Sequence, residues 1–144
     1  MAFERREILF TLPEIRDALI SIDGGMGQIP VQHNMRIIEA LHTRDNHSQF
    51  HIIRERYANI YRECIGKNGV MFRAGGTGKR GHEEIYEFFI PEETMLKAVL
   101  LACKRSGVML PRGPEKKVIA KDLFIGFQFE MGHQAITLEL EEAL

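Results

Sequence analysis

The sequence predicts an α+β fold: two similar strand–helix–loop units flank a long amphipathic helix and a β-hairpin, and the helices pack on a largely antiparallel sheet. Three observations predict it. First, residues 8–38 read like residues 86–119 once two small gaps are allowed. Pro13-Glu14 answers Pro91-Glu92, Ala18-Leu19-Ile20 answers Ala98-Val99-Leu100, and Ile29-Pro30 answers Leu110-Pro111. Second, Phe50, Ile53, Tyr57, Ile60, Tyr61 and Cys64 fall within an arc of roughly 100° on a helix, a well-formed apolar face. Third, short alternating runs are joined by turn residues, as amphipathic strands of an antiparallel sheet require.

Taken in order, Glu7 to Thr11 reads as a short strand. Pro13 suits the first turn of a helix, where its missing N–H costs nothing. Leu12, Ile15, Leu19 and Ile22 then recur at helical spacing until Gly24, Gly25 and Gly27 end the run. Met35 to Leu41 pulls two ways. Its match to Lys117–Ala120 argues strand, while Asn34 as a cap and the strong helix formers Glu39-Ala40-Leu41 argue helix, and helix is the expectation. Asn46 to Cys64 is read as one long helix that Gly66 to Gly69 terminates. Val70–Arg73 and Glu84–Ile90 are strands around the glycine-rich tip AGGTGKRGH. Pro91 opens a further helix closed at Gly107, and Leu110–Glu115 is a loop. Lys117–Glu130 alternates like a strand or a hairpin turning at Lys121-Asp122, and Ile136–Leu140 like a last edge strand.

At 144 residues the expectation is one domain over 1–144, with the suspected duplication 8–38 and 86–119 and a basic helix–hairpin segment 42–90 between its halves. Composition is ordinary for a globular chain, 44% hydrophobic and 27% charged. The charged start MAFERREILF lacks the apolar core of a signal peptide. Lys97 interrupts the most apolar helical run, so the expectation is a soluble cytoplasmic protein with no membrane partner. Cys64 and Cys103 make no metal or redox motif and read as buried small hydrophobes.

Catalytic chemistry finds little footing. Gly75-Gly76-Thr77-Gly78-Lys79 suggests a phosphate loop, but Arg73 stands where the motif needs glycine and Arg80 where it needs Ser or Thr, and a strand follows instead of a helix. Adjacent carboxylates such as Glu83-Glu84 and Glu92-Glu93 diverge on either a strand or a helix. His47 and His51 lie one helical turn apart, a spacing that can hold zinc if His42 or another ligand joins them. The solvated face of a helix is the expected account of them.

Charge is unevenly spread. The formal net charge is −1, yet residues 41–82 hold 8 basic and 3 acidic side chains and four of the six histidines. A basic middle on an acidic body suits contact with a polyanion. The first functional expectation is therefore a non-catalytic regulatory protein that binds nucleic acid, DNA above all, in winged-helix fashion. The long helix would enter the groove with Arg54, Arg56 and Arg62, and Arg73, Lys79 and Arg80 would ride the backbone. This reading needs Met35–Leu41 to be a helix. The alternative is a homodimeric protein–protein interaction module, without nucleic-acid or catalytic activity, that pairs through an exposed edge strand such as Ile136–Leu140 or through the Tyr57/Tyr61 face. The third is a metal-dependent enzyme using His42, His47 and His51.

Overall fold

The computed structural model describes residues 3–44, 54–64, 66–77 and 81–132. The strands are β1 (Phe3–Thr11), β2 (Arg36–His42), β3 (Gly69–Thr77), β4 (Glu83–Pro91), β5 (Lys117–Lys121) and β6 (Phe124–Gly132). The helices are α1 (Leu12–Asp23), the single turn α2 (Tyr61–Cys64) and α3 (Glu92–Arg105). The fold is α+β, with helices on antiparallel sheets. Two three-stranded sheets have the orders β1-β6-β5 and β2-β3-β4, and every ladder is antiparallel.

The chain runs twice through the order strand, helix, strand, strand: β1-α1-β2-β3, then β4-α3-β5-β6. The first strand of each run joins the closing hairpin of the other, β1 beside β6 and β4 beside β3. Corresponding positions are buried alike. Ile15, Ala18 and Leu19 of α1 match Met95, Ala98 and Val99 of α3, each counted from the start of its helix. Val70, Phe72 and Ala74 of β3 match Ile125, Phe127 and Phe129 of β6. The pairing of Pro13 with Pro91 is corrected by the helix starts: Pro91 is the N-cap of α3, whereas Pro13 lies inside the first turn of α1.

The α1 start is a capping box, Thr11 with Glu14 three residues on. Thr11 Oγ1 accepts the Glu14 N–H at 3.4 Å, and Glu14 Oε1 accepts the Thr11 N–H at 3.1 Å. At the other end Gly24, Gly25 and Gly27 have φ of 58°, 80° and 73°, which L side chains resist. Asp23 fixes this turn. Its carboxylate accepts the N–H groups of Gly27, Gln28 and Ile29 at 2.8, 2.8 and 2.9 Å. Those bonds, Ile29's foremost, hold its carboxyl below the usual aspartate range. The stabilisation is fully present above the unfolded pKa of about 4 and is lost as pH falls through the lower folded value. Asp23→Asn should therefore lower Tm at neutral pH, with the gap to wild type closing on acidification. Parallel Tm–pH curves would show that this carboxylate does not pin the turn.

Residues 35–41 are not helical. Arg36–His42 is strand β2, laddered to β3. The helical appearance has a specific origin. The ladder register shifts between Ile37 and Glu39, so Ile38 is an extra residue, and Ile37 and Ala40 are buried three apart. A β-bulge thus imitates helical spacing, and ladder pairing overrides the propensity of Glu39-Ala40-Leu41.

The single long helix over 46–64 is also corrected for its described part. Residues 54–56 form one helical turn, 57–60 are turns, and α2 follows. The break has a visible cause. The Asn59 N–H goes to the Glu87 carboxylate at 3.1 Å instead of a preceding carbonyl, and Ile60 and Glu63 make tight bonds three residues back. Residues 46–53, with the apolar positions Phe50 and Ile53, fall outside the described residues. The expected hairpin is present as β3–β4, with Ala74 to Thr77 part of the strand rather than the tip. The alternation of Lys117–Glu130 resolves into the β5–β6 hairpin, whose Asp122 takes φ 52°.

The two hairpins differ in their connections. Asp122-Leu123 joins β5 to β6, whereas residues 43–68 join β2 to β3. Five of the eight basic residues of the middle segment, Arg44, Arg54, Arg56, Arg62 and Lys67, thus belong to an enlarged hairpin connection. Helices α1 and α3 lie together over one core, which takes in residues of both sheets, with Phe72 stacked on Phe88 at 5.1 Å. On the opposite face of β2-β3-β4, Tyr57, Ile60 and Cys64 pack on Met71, with Leu41, Tyr61 and Phe89 around them. That sheet is therefore covered on both faces, and this is why eight of the nine β3 residues avoid solvent exposure. Among the described residues no helix is long and apolar enough to cross a membrane.

Candidate interaction site

A row of charge crosses the covered outer face of β2-β3-β4. Glu39 sits opposite Arg73, and Arg73 opposite Glu87, because the ladders set these three in register. The connection 43–68 is fastened to this row. Arg56 Nη1 donates to Glu39 Oε1 at 2.6 Å, and the Tyr57 hydroxyl donates to Glu39 Oε2 at 3.0 Å. Arg73 Nη1 stands 4.0 Å from Glu39 Oε2, while its buried Nε has no hydrogen-bond partner among the described residues. Burial, reinforced by the Glu39 carboxylate, pushes the Tyr57 hydroxyl far above the usual tyrosine range, so it stays a donor.

This arrangement redistributes the residues expected to touch nucleic acid. Arg56 and Arg73 turn toward Glu39, and the face carrying Tyr57, Ile60 and Cys64 is spent on the sheet. Arg54 and Arg62 are exposed, whereas Lys79 and Arg80 lie outside the described residues. With β2 a strand and residues 54–64 broken into turns, the helix order of a winged helix is not present among the described residues.

Chemistry at histidine or cysteine has equally little support. His42 is buried. Its Nδ1 accepts the Arg44 N–H at 3.1 Å, and its Nε2 meets Glu92 Oε2 at 2.8 Å, which places the proton on Nε2. Both ring nitrogens are thereby engaged, and His47 and His51 lie outside the described residues. Among the described residues no group of three or more His, Cys, Asp or Glu could hold a metal. Cys64 and Cys103 are buried and unpaired, and burial pushes both thiols up, away from the reactive thiolate. A groove of about 390 Å³ beside the glycine turn is lined by Met26, Ile29, Pro30, Phe89, Pro91 and Lys97 among others; its one carboxylate, Asp23, is engaged by the turn.

Among the described residues the two sheets end in four edge strands, β1, β5, β2 and β4. Strands β5 and β2 face one another, and Arg44 Nη2 reaches across to the Val118 carbonyl at 2.8 Å. The outer two edges are β1 and β4, each nine residues long and laddered on one side only among the described residues. Arg5, Arg6, Glu83 and Glu84 on them are exposed, and Ile85 is 50% exposed. The expected edge strand Ile136–Leu140 lies outside the described residues. Nothing in the sequence pattern of β1 or β4 alone marks an edge, because edge position depends on which strands pair.

No family model, no curated protein and no solved structure matches this chain.

Proposed function

We propose that this protein is a non-catalytic interaction module that engages extended segments of a protein partner by main-chain pairing at its outer sheet edges. The observation that carries this reading is the pair of nine-residue strands β1 and β4, each laddered on one side only among the described residues. A one-sided strand presents a row of N–H and C=O groups, and a long edge is a ready template for a further strand. Strands most often run about five or six residues, so a nine-residue edge offers a longer than usual row of main-chain groups. The reading is further supported by the commitment of His42, Glu39 and Tyr57 to structural contacts, which leaves them no catalytic task.

The test is selection of displayed random peptides on the full chain, repeated on Ile85→Pro. Proline removes a backbone donor from β4 at an exposed position. Enriched peptides that lose binding to a folded Ile85→Pro protein are the expected result. Failure to enrich any peptide would sink the reading. The rival, contact of the basic connection 43–68 with a polyanion, draws on exposed Arg54, Arg62 and Lys67. Titration of a labelled duplex separates the two. The edge reading expects unchanged anisotropy even at low salt, whereas steeply salt-sensitive binding would favour the rival.

A further inference from the structure

The groove beside the glycine turn takes no part in the charged row on β2-β3-β4. It encloses about 390 Å³, inside the range of roughly 300–1,000 Å³ usual for small-molecule sites. Both runs of the chain contribute its walls. Ile22, Met26 and Ile29 come from the end of α1 and the turn after it, and Phe89 and Pro91 from the end of β4, where α3 begins. The first wall is set before anything binds. The Asp23 carboxylate accepts the N–H groups of Gly27, Gln28 and Ile29 and so fixes the turn that carries Met26 and Ile29. A wall held in this way costs little ordering on binding.

The polar groups of the groove divide by what they can still do. Both oxygens of Asp23, its one carboxylate, are spent on the turn. Thr94 and Lys97 lie three residues apart on α3 and both line the groove, and Gln28 joins them from the turn. The side chains of these three have no hydrogen bond or ion pair among the described residues, and Lys97 makes none with Glu93 one turn before it. What remains unspent is a hydroxyl, an amide and an ammonium, all able to donate, and the unspent charge is positive. We infer that this groove binds a small carboxylate with an apolar body. The hydrocarbon lies between Met26, Ile29 and Phe89, and the carboxylate accepts from Lys97 and Thr94. A neutral apolar ligand gains nothing from Lys97, and a cationic one is repelled by it and finds the Asp23 oxygens already taken. The site is independent of pairing at the sheet edges and goes beyond it.

Isothermal titration calorimetry of the full chain with octanoate, kept below its micelle concentration, tests this. Saturable binding of one octanoate per chain is expected. Lys97→Gln should weaken it about tenfold, the loss of one hydrogen bond to a charged group. Lys97 has no partner to lose, so the variant should melt with the wild type. Lys104→Gln, in the last turn of the same helix, should bind octanoate as the wild type does. Octanol, with the same body and no charge, should bind the wild type more weakly than octanoate does and should not distinguish it from Lys97→Gln. Should Lys97→Gln fold poorly, Thr94→Val replaces it, with a loss of about threefold or more expected from the missing donor. Absence of saturable octanoate binding overturns the inference, as does equal affinity in the wild type and the folded variant. Binding of a peptide with a free carboxyl-terminal leucine where octanoate fails would assign the groove to a protein terminus and overturn the small acid. None of these outcomes bears on the capture of displayed peptides at β4, which stands or falls on its own test.

Discussion

Gly126→Ala is expected to cost about 4 kcal/mol or more, the range reserved for main-chain or core disruption, and to lower Tm by roughly 10 °C or more if the chain folds at all. Gly126 lies in β6 between Leu9 of β1 and Ile119 of β5. A Cβ placed there would overlap the Ile8 carbonyl oxygen, lie 2.7 Å from the Ile8 carbonyl carbon and 2.9 Å from Leu9 Cα. The obstacle is backbone, not the end of a flexible side chain, so relief requires β1 to move away from β6. That movement would unseat Ile8 and Phe10, which pack in the main core. Gly25→Ala is the control. It has open space around its Cβ but a φ of 80°, so it should show backbone strain of only about 1–2 kcal/mol. Urea denaturation of the two variants decides the matter. Equal losses would mean that β1 yields to the added methyl at little cost.

Tyr57→Ala should cost about 3–5 kcal/mol, the usual loss for truncating a buried aromatic ring. Tyr57 is fully buried at the centre of the cluster on the second face of β2-β3-β4, and its hydroxyl completes the hold on Glu39. Tyr57→Phe keeps the ring and removes one hydrogen bond to a carboxylate that Arg56 still serves, so about 1–2 kcal/mol is expected. The two variants should also differ in kind. Without the ring, the connection 43–68 loses its main anchor, and trypsin should cut after Arg54, Arg56 and Arg62 well before the strands unfold. With Phe in place, the native cleavage rate should be nearly kept. Similar proteolysis in both variants would mean that the anchor lies elsewhere in the connection.

These two positions also mark where the sequence was legible and where it was not. Tyr57, Ile60 and Cys64 were readable as one apolar face because their spacing is a local property, and all three are buried. The continuity of their helix was not readable. The amide of Asn59 leaves the helical ladder for Glu87, a residue 28 positions away that only the β3–β4 pairing brings near. The strand β2 was hidden for a related reason: a bulge at Ile38 converts a two-residue period into a three-residue one, and the bulge exists only relative to β3. The likeness of residues 8–38 to 86–119 argued for a strand at 35–41, against the helix expected there, and β2 is that strand. It could not foretell that β1 and β4 exchange hairpins.

The candidate site divides in the same way. A basic middle is a fact of composition, but Arg56 and Arg73 belong to Glu39, and that follows from the register of β2 on β3. By itself, the sequence determined the α+β class, the helices α1 and α3, the β3–β4 hairpin and the burial of the two cysteines. Each of these rests on periodicity, capping or turn chemistry within a few residues. The tertiary structure alone decided which strands became edges, which charges were neutralised, and that Gly126 must have no side chain. Strand pairing joins residues over a hundred positions apart, and no local pattern records that choice.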